Sequence, residues 1–165
     1  MAKSAYDIAP DATFIEAAKT SLRQQQAEMM THLEGTRAGD DIEALHDMRV
    51  ASRRLRAAFS VFAAAFPPKP FAVTEKEVAR VTDALGAVRD ADVQIEFMQG
   101  VEASAPESEK VGLHAFTEHL KRGRDKERVL LVKELNQLEK NDFHKDFSKL
   151  LGDDKLSGGE EKIHG

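Results

Sequence analysis

Apolar residues recur every three or four positions along most of the chain, the spacing of helices that each bury one face. Phe14, Ala18, Leu22, Met29 and Leu33 form the first stripe. It predicts a helix from about Asp11, a good N-cap, to Glu34, with Gly35 and Gly39 of GTRAGD as breakers. Met48, Leu55, Phe59, Phe62 and Phe66 form the second, on a helix from Asp40 or Asp41 to Phe66, where PPKP stops it. Val78, Val81, Leu85, Val88 and Val93 mark a third helix, from near Thr74, with Glu77 three residues on as in a capping box, to about Ala103. A fourth starts at Pro106, a residue suited to a first helical turn, and reaches about Lys140 with Leu120, Leu131 and Leu138 towards its apolar side. Phe143, Phe147, Leu150 and Leu151 give DFHKDFSKLL the spacing of a short fifth. No run alternates in the manner of a strand.

Long helices joined by short turns favour antiparallel neighbours. The expected fold is therefore all-α: an antiparallel bundle of four long helices plus a short C-terminal helix, one domain over 1–151. The remainder, 152–165, reads GDDKLSGGEEKIHG and is expected to be a disordered polar tail.

Composition then excludes several classes. With no cysteine there is neither a disulfide framework nor thiolate chemistry. The longest apolar run, Val61 to Phe66, is far short of the roughly 20 residues of a membrane span. The start, MAKSAYDIAPD, lacks the apolar segment of a signal peptide, so a cytoplasmic protein without membrane contact is expected. The net charge of −5 means that any attraction for polyanions has to be local.

The local basic feature is HDMRVASRRLRAAFSVF. At about 100° per residue, His46, Arg49, Arg53 and Arg56 share an arc of roughly 80°, opposite the apolar stripe of the same helix. No Asp or Glu between Arg49 and Phe66 relieves the repulsion among them. A row of guanidinium forks suits a ligand with several phosphates in series, with His46 as a further donor. The pattern is equally that of a solvated basic face, or of one neutralised by acidic side chains from a neighbouring helix. Lys121, Arg124 and Arg128 repeat the spacing in the fourth helix, and Lys19 and Arg23, with Arg37 beyond, make a thinner row in the first. In the third helix Arg89, Asp92 and Glu96 fall within the apolar sector, where charges need partners. Arg89 and Asp92 can pair directly or each reach another helix. A metal held by Asp92, Glu96 and His46 is disfavoured, because arginines make poor neighbours for a cation and no Glu-x-x-His pair is present.

HDMRVASRRLRAAFSVF followed by LGAVRDADV resembles the first half of the CHAD family, the conserved-histidine α-helical domain. The resemblance covers roughly Phe14 to Leu151. It implies an all-helical fold that binds inorganic polyphosphate through basic residues on inner helices, often beside triphosphate-hydrolysing domains or near polyphosphate granules. Position by position it assigns the histidine to His46, the basic residues to Arg49, Arg53, Arg54 and Arg56, and the second motif to Arg89, Asp90 and Asp92. Lys121, Arg124 and Arg128 correspond by pattern only. A full domain of the family carries a second, similar half, and HAFTEHLKRGR is not counted as its repeat. Two outcomes are open: a homodimer in which each copy supplies one basic helix to a shared groove, or weaker binding by the single chain as an open face.

The leading expectation is thus a polyphosphate-binding protein with no cofactor, no metal and no catalytic residue. No nucleophile stands beside a base and no glycine loop cradles phosphate. Nucleic-acid binding, the first alternative, normally brings an overall basic domain and aromatic platforms, whereas this chain is acidic with no Trp and one Tyr. The second alternative is an adaptor bundle that pairs its basic face with an acidic protein.

Overall fold

The computed structural model describes residues 8–153. It is an all-α antiparallel bundle: α1 (Phe14–Thr31), α2 (Leu33–Ala38), α3 (Ile42–Phe62), α4 (Pro68–Ser104), α5 (Glu107–Lys140) and α6 (Phe143–Leu151). A single 3₁₀ turn, Ala63–Ala65, follows α3. The expected tail lies outside the described residues except for Gly152 and Asp153, which end α6.

Local chemistry explains most boundaries. Thr13 and Glu16 form a full capping box at the start of α1, and Asp41 accepts the Glu43 amide at 2.8 Å at the start of α3. The backbone breaks helical hydrogen bonding at His32 and resumes as α2, so the expected first helix is two pieces. α4 begins at Pro68, not near Thr74. The PPKP run that ends the preceding helix also opens this one, since proline lacks only an amide that a first turn leaves unbonded anyway. Thr74 instead donates to the Pro70 carbonyl at 3.0 Å, and Glu77 is buried, accepting from Asn141 Nδ2 at 3.0 Å.

The core sits at one end of the bundle. Leu22 and Met29 of α1, Met48, Leu55 and Phe59 of α3, Val78, Val81, Leu85 and Val88 of α4, Leu131, Leu135 and Leu138 of α5, and the phenylalanines of α6 close on one another. Phe59 is the hinge of this cluster, edge-on to Phe71 at 5.1 Å and to Phe147 at 6.2 Å. Beyond Val88 the buried stripe of α4 stops, and before Leu131 the only buried residue of α5 is Thr117. The upper parts of α4 and α5 therefore project as a two-helix arm. Val93, expected in the core, is 46% exposed on it because α3 has run out at that height.

Candidate functional site

The core dictates where the basic row of α3 points. With Leu45, Met48, Leu55 and Phe59 turned inwards, the opposite phase of α3 carries His46, Arg53 and Arg56 to the exposed side, while Arg49 is half-buried against α4. Arg49 Nε lies beside Gly86, 4.0 Å from where a Cβ there would stand. Arg56 Nη1 donates to Asp83 of α4 at 3.4 Å. These two contacts hold α3 antiparallel against α4. One turn further along α4 comes Arg89, half-buried. Arg54 follows Arg53 directly, so it is exposed about 100° away around the helix.

Among the described residues, His46, Arg49, Arg53, Arg54 and Arg89 have no acidic side chain within ion-pairing distance; Arg56 has only the exposed Asp83. From His46 to Arg56 the row runs about 15 Å at ~1.5 Å per residue. Repulsion within it is left for something outside the chain to relieve.

The other basic residues singled out in the sequence are engaged within the protein. Arg124 Nε donates to Asp92 at 2.8 Å, and that carboxylate is only 9% exposed, so the partner of Asp92 is Arg124 on α5 and not Arg89. Lys121 binds Glu118 at 2.8 Å, and this hydrogen bond holds the Glu118 carboxyl below its usual pKa. Arg37 is bound by Glu34 and Glu139. Arg23 clamps Asp153 just past α6, and the Lys19 ammonium lies close to Gly152, beside the negative end of the α6 dipole. These groups tie helix ends together. Sequence spacing shows a basic residue but not the distant carboxylate that meets it.

Arg128 has a structural use of a different kind. Its Nη1 and Nη2 donate to the carbonyls of Thr36 at 3.0 Å and Arg37 at 2.6 Å, satisfying the open end of α2. Gly39 makes room for it: its φ is +78°, and a Cβ there would stand 2.0 Å from the guanidinium. Replacing Gly39 by Ala is therefore expected to cost about 2–3 kcal/mol, from left-handed strain and the displaced hydrogen bonds. Urea denaturation of Gly39→Ala beside Arg128→Ala checks this; both should lose stability, and Arg128→Ala should retain most of its affinity for polyanions.

Asp153 gives a pH-dependent contact. The hydrogen bond from Arg23 holds its carboxyl below the usual aspartate range. A lowered folded-state pKa contributes stability above the unfolded pKa and loses it as pH falls through the folded value. The pair is partly exposed, so the contribution is a fraction of ~1 kcal/mol. Thermal melts of wild type and Asp153→Asn should differ at neutral pH, and the difference should shrink progressively as the pH falls below about 4.

Within HAFTEHLKRGR, His119 and Arg122 also stand at the His-x-x-Arg spacing. Both are exposed on the arm. Among the described residues no group of three or more His, Asp or Glu is placed to hold a metal, and no helix is long and apolar enough to cross a membrane.

A family model for the CHAD domain matches residues 20–164, most of the chain. The chain belongs to the CHAD family. The CHAD family is associated with polyphosphate binding and with triphosphate tunnel partners. In this CHAD chain both motifs that carry the resemblance fall on the α3–α4 face, where HDMRVASRRLR supplies the open row and LGAVRDADV supplies Gly86, Arg89 and the anchoring Asp92. No curated protein matches the chain closely enough to be called a relative.

Proposed function

We propose that the protein binds inorganic polyphosphate along the α3–α4 face, without catalysing its turnover. The observation that supports this most is the division among the arginines singled out in the sequence: Arg23, Arg37, Arg124 and Arg128 have acidic or carbonyl partners, while Arg49, Arg53 and Arg89 have none among the described residues. Membership of the CHAD family points to the same ligand class. In this reading Arg49, Arg53 and Arg89 grip successive phosphates with paired N–H donors, His46 caps one end and Arg56 joins at the other. Arg54 adds long-range attraction from the flank.

The linear, regularly spaced row favours a flexible phosphate chain over a duplex, and no aromatic residue interleaves with its arginines between His46 and Arg56, as a single-strand binder would need. An acidic protein partner remains the reading for the case in which no phosphate polymer binds. A cytoplasmic place near stored polyphosphate is part of the proposal. Homodimer formation is a separate matter, which the row does not need in order to bind.

Calorimetric titration with long-chain polyphosphate at near-physiological salt, with single-stranded DNA of matched charge as competitor, tests the assignment. Tight binding that excess DNA leaves in place supports it. Equal displacement by DNA, or no heat with polyphosphate, overturns it. Affinity should fall steeply with salt through counterion release, so both polymers need the same ionic strength.

A further inference from the structure

The arm formed by α4 and α5 exposes an apolar groove of about 470 Å³, lined by Val93, Glu96, Phe97, Gly100, Val101 and Ser104. Phe97 is 69% exposed at its centre. This stripe lies on the same side of α4 as Gly86, the residue that meets Arg49 of α3. With Val93 46% and Phe97 69% exposed, the cover that α3 gives α4 ends by Val93. Ile42, the first residue of α3, is itself exposed. The apolar face of α4 that α3 covers below thus continues uncovered from 93 to 104, roughly 17 Å of helix at ~1.5 Å per residue. A helix buries such a stripe against another element, and among the described residues the chain supplies none.

We propose that a second copy of this chain covers it, the two α4 helices pairing antiparallel about a two-fold axis. An isologous pairing of one stretch with itself is centred on the middle of that stretch. The middle of 93–104 falls between Phe97 and Gly100. Each phenylalanine then faces the other copy's glycine, a large side chain opposite a missing one, and Val93 faces Ser104. Nothing lies within 4 Å of a Cβ built on Gly100, so the notch is open in the single chain. The two α3 helices end up at opposite ends of the paired arms, giving two separate basic rows and not one shared groove.

The covered stretch is short of the ~800 Å² per partner typical of stable complexes, so association is expected to be weak and concentration-dependent. The inference is tested without any anion, so it stands or falls apart from the polyphosphate reading. Sedimentation equilibrium of the full chain, up to about 1 mM, should show the weight-average mass rising from 18.3 kDa towards twice that value. Phe97→Asp and Gly100→Leu should each raise the dissociation constant at least tenfold while the circular dichroism stays unchanged. Gly100→Leu is the decisive variant, because the open space around Gly100 lets the single chain accept a side chain. A mass fixed at 18.3 kDa throughout overturns the proposal, and so does association that survives both substitutions.

Discussion

Reversing Arg49 and Arg53 together to Glu is expected to weaken polyphosphate binding by about 100-fold or more while leaving the helices intact. Hydrogen bonds to charged groups are worth ~1.5–3 kcal/mol each, so losing two already reaches this size, and the new carboxylates repel the ligand as well. Folding should not suffer. Neither guanidinium has an acidic partner among the described residues, and breaking up a run of like charges relieves α3 by a few tenths of a kcal/mol per pair. Titration calorimetry with far-UV circular dichroism as control checks both halves. A variant that unfolds would place Arg49 in the framework; one that binds as before would move the site off α3.

The largest effect on stability is expected from Phe59→Ala, about 3–5 kcal/mol. Phe59 is fully buried and touches aromatic rings of two other helices, Phe71 on α4 and Phe147 on α6, so its removal leaves a cavity that none of the three can close alone. Domains of this size are stable by about 5–15 kcal/mol, and the loss takes a large share of that. Phe62→Ala should cost less. Phe62 is only half-buried, packing on the exposed ring of Phe14 at 5.4 Å. Urea unfolding of the two variants should rank them in that order, and equal losses would show that the α3 stripe is buried further along than the structure has it.

What the sequence made legible was decided by local signals. The period of apolar residues located every long helix, and proline and glycine marked the turns. The same signals erred where one residue served two purposes. PPKP both ends α3 and opens α4, and it was read only as a stop. Val93 continues the apolar period of α4, yet its burial depends on where α3 ends, which is a property of another helix. For the candidate site, periodicity gave the direction of the α3 row because the core opposite it is unambiguous. It could not tell that row from the similar one on α5. Asp92 lies 32 residues from Arg124, and the carbonyl of Thr36 lies 92 from Arg128. Only the folded chain shows which arginines are already occupied.

The most direct test follows the arginine Nε–Hε signals by NMR as polyphosphate is added. Arg49, Arg53 and Arg89 should shift or broaden first and most, with Arg56 following, while Arg124 and Arg128, held by Asp92 and by the end of α2, should stay in place. Shifts led by Arg124 and Arg128, or spread evenly over all arginines, would contradict the account.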